Sequence, residues 1–143
     1  MWDKYRACKM LSIPYKVYPL NEAVGGYANL VDRYIHISED KKDDDRVFIH
    51  EISHILLHFQ NVETAVGMDK TKNAIAEIEA DTTAFVVCSV LGIADQKDYR
   101  KYITLFVKSL PKELQNADVI NNSLKKIKEA AIIILNAGGW YAN

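Results

Sequence analysis

The chain has 143 residues, 49% of them hydrophobic and 26% charged, proportions that exclude collagen-like, low-complexity and disordered classes. Lys and Arg number 18 against 19 Asp and Glu, for a formal net charge of −1. That balance lacks the electrostatic footprint of a nucleic-acid binder, so no direct nucleic-acid binding is expected. At this length one domain spanning residues 1–143 can bury a core without metal or disulfide staples, so a metal would serve function first.

Cys8 and Cys88 lie far apart and outside any CxxC spacing, which points away from a disulfide framework and from a thiolate zinc knuckle. The N-terminus lacks a basic segment followed by an apolar run, and no apolar stretch reaches about 18 residues. The expectation is a cytoplasmic protein of a reducing compartment, with no membrane association.

Trp2, Tyr5, Cys8 and Leu11 recur at roughly helical spacing and Pro14 blocks continuation, which predicts a short helix over residues 2–11. Tyr15 to Leu20 is rich in Tyr and Val, Gly25-Gly26 reads as a turn, and Tyr27 to Ser38 reads as strand interrupted at Asp32-Arg33. Together these predict a small antiparallel sheet. In its last strand Ile35 and Ile37 alternate with Tyr34, His36 and Ser38, giving one face for a core and one for solvent or a ligand.

The carboxylates of Asp43, Asp44 and Asp45 suit a helix N-terminus, where the dipole favours negative charge. Phe48, Ile52, Ile55, Leu56 and Phe59 then form one apolar stripe, predicting a helix from about Arg46 to Phe59. Residues 60–73 show no periodicity and read as a loop. A second long helix is expected from about Asn73 to Leu91, stopped by Gly92. Tyr99, Tyr102, Ile103, Phe106, Val107 and Leu110 predict a further helix closed by Pro111. Leu124, Ile127, Ala131, Ile134 and Leu135 predict a last one, ended by Gly138-Gly139. The expected architecture is α+β, a small N-terminal sheet packed with a helical bundle.

The chemistry concentrates on the first long helix, where His50-Glu51-Ile52-Ser53-His54 forms an HExxH pattern. Histidines four apart on a helix point the same way, so both imidazoles can reach one zinc ion. Glu51 borders such a metal without ligating it. There it can act as general base toward an attacking water whose pKa the metal lowers to near neutrality. Histidines on helices are common without metal, yet shuffling this composition yields the pattern in only roughly 0.5% of chains, and here it leaves the apolar stripe undisturbed.

A two-histidine zinc site needs a third protein ligand and an open position. Glu77, Glu79 and Asp81 on the second long helix are the candidates, against the alternative of a solvated charged face. Glu77 and Asp81 share a face, continued by Ala84 and Cys88, which are small enough to let it press against the first helix. On that geometry Glu77 is the favoured ligand, and Asp81 accepts a hydrogen bond from the outer nitrogen of a ligand histidine. Glu79 lies about 200° around the helix from Glu77 and faces elsewhere. His58 stands about 12 Å along the axis from His50, too far to share its ion, and reads as a packed histidine. His36 and Tyr34 are weaker candidates for substrate contact or oxyanion stabilisation, since ordinary strand polarity explains them equally well, and Cys88 reads as a small core residue.

These residues resemble the ImmA/IrrE-type and related ArdC-type zincin-like metallopeptidases of bacteria, phages and mobile elements. His50 to His54 running into Ile55-Leu56-Leu57-His58 is similar to the family's HELGHxLLH. Glu77-Ile78-Glu79-Ala80-Asp81 running into Ala84 to Cys88 is similar to its ExEAxxxA helix. The likeness is strong over residues 15–92 and loose beyond, with Ser53 in place of the commoner Gly. It implies a zincin-like fold, one zinc per chain held by His50, His54 and Glu77, Glu51 as general base and Asp81 behind the ligands. The N-terminal single-stranded-DNA-binding domain of ArdC-type proteins has no counterpart of its size, so the chain looks like the peptidase domain alone, a small complete phage or mobile-element protein or a fragment.

The function expected is a zinc metallopeptidase acting on a specific intracellular protein or peptide. The resemblance implies a DNA-binding repressor or other regulator of a phage or mobile element as substrate. The alternative is an antirestriction or host-factor binding protein that keeps the zincin fold without proteolysis. An interaction module without metal is a third reading.

Overall fold

A computed structural model describes residues 1–20, 25–58, 70–93 and 110–140, together with residues 104, 107 and 108. Asp3 starts the first helix, α1 (Lys4–Met10), by accepting the Tyr5 and Arg6 amides on its carboxylate. Three strands follow, β1 (Tyr15–Tyr18), β2 (Gly26–Asn29) and β3 (Tyr34–Ser38), then α2 (Asp45–His58), α3 (Lys70–Leu91) and α4 (Ala117–Ala137). The class is α+β, as expected. Among the described residues no helix is long and apolar enough to cross a membrane.

The sheet differs from the expected antiparallel one. Its order is β1-β3-β2, with β1 parallel to β3 and β2 antiparallel to it, so the sheet is mixed. A parallel pair needs a long crossover, and the segment between Tyr18 and Tyr34, which contains β2, supplies it. β3 takes the centre because it carries the apolar pair Ile35 and Ile37, both fully buried, whereas every residue of β1 is exposed. Gly26, expected in a turn, opens β2 instead.

β3 also lacks the solvent-facing side that its alternation suggests. His36 and Ser38 are buried, and the rings of Tyr18, Tyr27 and Tyr34 pack around His36 with centroids 4.7, 4.5 and 4.8 Å away. Tyr18 hydrogen-bonds both His36 Nδ1 and the Tyr27 hydroxyl.

The helices run close to their expected bounds. Asp44 accepts the Arg46 amide at the start of α2, and Phe48, Ile49, Ile52 and Ile55 are fully buried against Ile35 and Ile37. Phe59 and most of the expected loop lie outside the described residues, and residues 70–73 belong to α3 rather than to that loop. Gly92 ends α3 with φ +75, and Ile93 N–H reaches back to Cys88 O. Most of the helix expected over residues 99–110 lies outside the described residues; Leu110 is buried with Ile127. The far end of α4 closes on the N-terminus, where Trp2 Nε1 donates to Ile134 O and Asp3 N to Gly138 O.

α3 lies against α2 on one side and α4 on the other. Its small buried residues Ala76, Ala80, Thr83, Ala84 and Cys88 allow the close approach that brings its acidic first half to the HExxH turn of α2.

Candidate metal centre

The single-turn offset of His50 and His54 on α2 sets their rings 4.8 Å apart between centroids and at 83°. Glu77 reaches over from α3 and joins them. Its Oε1 lies 2.9 Å from His50 Nε2 and its Oε2 lies 3.0 Å from His54 Nε2. These three residues offer ligand atoms that all lie within 4.8 Å of one another. That spacing is small enough for side-chain rotation to bring them onto one ion with bonds of about 2.0–2.2 Å.

Asp81, one turn further along α3, holds the opposite side of the His50 ring, with Nδ1–H donating to Oδ1 at 2.9 Å. That bond assigns the Nδ1 proton and leaves Nε2 as the atom turned toward Glu77 and the centre of the cluster. Glu51 is buried, and its Oε1 stands 3.9 Å from His50 Nε2, beside the cluster without bonding to it. His50 and His54 side chains are 20% and 15% exposed, whereas Glu77 is 56% exposed, so the cluster opens on its Glu77 side.

The electrostatics follow from this packing. Burial by itself pushes the His50 pKa down, but the bonds to Asp81 and Glu77 and the Glu51 charge outweigh it and raise it to about 10. Glu77, accepting from both imidazoles, is held well below the usual carboxylate range. Glu51 moves upward, because burial dominates over the neighbouring His50 and His54. A buried carboxyl group with a raised pKa beside residues that could hold a metal ion is an arrangement that can serve proton transfer.

His58 is packed, as the rise along α2 predicts. It is buried, and its Nε2–H donates to Ala76 O at 3.1 Å. Glu79 also faces away, yet it is buried against Ser123 of α4 rather than lying on a solvated face, and burial raises its pKa. His36 and Tyr34 are not among the residues that line the cleft, and Cys88 belongs to the core.

The strands add a contribution that the helix motifs do not encode. A cleft of about 230 Å³ is bounded by His50, Glu51, His54 and Glu77 on one side and by Gly26, Tyr27, Ala28 and Leu30 on the other. Ser38 N donates to Gly25 O, so in the antiparallel register Gly25 and Tyr27 pair their main chain with β3. Gly26 and Ala28 therefore point their N–H and C=O groups away from β3, along an edge of the sheet with no further strand among the described residues. The one sequence signal is Gly26 next to a strand pattern, which marks close backbone approach as readily as a turn.

No protein-family model, curated protein or solved structure matches the chain.

Proposed function

We propose that the protein is a zinc-dependent metallopeptidase of zincin type, with His50, His54 and Glu77 holding one ion and Glu51 as general base. The observation that carries the reading is the convergence of His50 Nε2 and His54 Nε2 on the two oxygens of Glu77, with Glu51 at the edge of that cluster. Two imidazoles and one carboxylate are a donor set suited to catalytic zinc, and the ion when bound polarises a carbonyl and acidifies water. Asp81 fixes the His50 tautomer. Glu51 takes the proton of the water as its oxygen attacks the peptide carbonyl, and delivers a proton to the amine nitrogen as the C–N bond breaks.

The main-chain groups of Gly26 and Ala28 along the edge of β2, unpaired with any other strand among the described residues, suit an extended peptide, which would add to the sheet as a further strand across the cleft. A protein or peptide substrate fits this strand edge. A DNA-binding repressor of a phage or mobile element is the substrate that the resemblance of the two motifs suggests.

The test pairs metal analysis with the variant Glu51→Gln. Tag-free protein is expected to carry about one zinc per chain, and Glu51→Gln to retain the zinc while losing cleavage of the target. A wild type that takes up no zinc sinks the reading. Full biological function in Glu51→Gln would mark a binding protein on a metal-bearing scaffold.

A further inference from the structure

We propose that Gly26 is a positioning residue for Glu51: a bare backbone at the head of β2 lets the strand lie against the stem of the glutamate, seating its carboxyl group beside the His50–His54–Glu77 cluster. The inference rests on the reading of Glu51 as general base, and it concerns how the fold places that base.

Space decides the matter, since Gly26 is not among the glycines with positive φ. A Cβ built at position 26 would lie 2.7 Å from His36 O, 3.3 Å from Glu51 Cγ and 3.3 Å from Val47 Cγ1. The first of these is a main-chain oxygen at the centre of the sheet, with no freedom to step aside. Any side chain at 26 therefore moves β2 off β3, or pushes the Glu51 stem away, or both. Gly25 makes no such demand, because its Cβ would meet nothing closer than 3.7 Å.

The contact has a consequence that ordinary packing lacks. The ligand cluster sits on α2 and α3, with none of its three residues on β2. Of the side chains in and beside the cluster, Glu51 is the one that a Cβ at position 26 meets, so the base takes the contact directly while the ligands do not. The N–H and C=O of Gly26 itself point away from β3, so one residue meets the base and forms part of the strand edge.

The experiment compares Gly26→Ala with Gly25→Ala. In metal-free protein labelled with ¹³C at the glutamate carboxyls, the Glu51 resonance, assigned by its disappearance in Glu51→Gln, is expected to move in Gly26→Ala and stay in Gly25→Ala. In zinc-loaded protein both variants keep one zinc per chain. Gly26→Ala is expected to bind acetohydroxamate about tenfold more weakly, the scale of losing one hydrogen bond to a charged group. An unmoved Glu51 resonance in Gly26→Ala, or an equal shift in both variants, overturns the proposal. Should Gly26→Ala melt too low for spectra, the double variant Gly26→Ala/Glu51→Ala decides. Relief of the destabilisation in the Glu51→Ala background supports the contact, and strict additivity overturns it. A wild type without zinc affinity removes the metallopeptidase reading, and the carboxyl shift by itself then decides whether Gly26 seats Glu51.

Discussion

His50 Nδ1 donates to Asp81 Oδ1 at 2.9 Å while His50 Nε2 meets Glu77 Oε1 at the same distance, so one imidazole is held at both nitrogens by carboxylates one turn apart on α3. In the metal-free protein both nitrogens carry protons, and the ring cannot turn over without losing these bonds. Asp81 thus supports the candidate metal centre without supplying a ligand.

Asp81→Asn is expected to keep the fold and to weaken zinc affinity by about 10–100-fold, the usual cost of disturbing a partner behind a ligand histidine. Competition against a chromophoric chelator measures it. Unchanged affinity would show that the ligands alone orient His50.

Zinc uptake is expected to depend on pH in a defined direction. With its pKa raised to about 10, His50 carries a proton through neutral pH in the metal-free protein, and an ion must displace it. Apparent affinity then rises by about tenfold per pH unit for each proton released, so calorimetry in buffers of different ionisation enthalpy should register proton release near pH 7. For the metal-free fold the sign is opposite: the His50 contribution is full below pH 6.5 and lost toward pH 10, a loss that chelator-treated protein reveals by melting.

His58 produces a stability change on the acid side. Burial and the neighbouring His54 push its pKa down to about 4 from 6.5, so the unfolded chain takes up the proton first. Its contribution is complete above pH 6.5 and lost as pH falls toward 4, on the order of 2 kcal/mol. Urea midpoints at pH 7.5 and 5 should lie further apart in wild type than in His58→Gln, where this slope disappears. Equal slopes in the two proteins would contradict it.

Gly138→Ala tests the closure of the termini. A Cβ there would lie 2.0 Å from Trp2 Nε1, the atom that donates to Ile134 O at 3.0 Å. Overpacking at such a site costs about 1–3 kcal/mol, and a thermal melt should fall by several degrees. A melting point within error of wild type would mean that Trp2 has somewhere else to go.

The pairing of His50 and His54 on one helix face was legible because it is local. His50 and His54 share a helix face by the 3.6-residue period alone, and the apolar stripe of Phe48, Ile52 and Ile55 shows which face the core takes. Glu77 and Asp81 were legible for the same reason, as an i, i+4 pair followed by small residues. Where α3 begins was not, since Lys70, Thr71 and Lys72 offer no apolar residue for a periodicity to register.

What the sequence determined by itself is therefore the patterning within each helix, namely the histidine pair, the glutamate beside it and the acidic pair, together with the α+β class. Tertiary structure decided the rest. It placed β3 between β1 and β2, so the sheet is mixed, because strand order depends on which strand is buried on both faces. It buried His36 under three tyrosines and Glu79 against Ser123, polar side chains that residue type alone assigns to solvent. And it laid Gly26 of β2 on the stem of Glu51, a contact between elements far apart in the chain that periodicity does not encode.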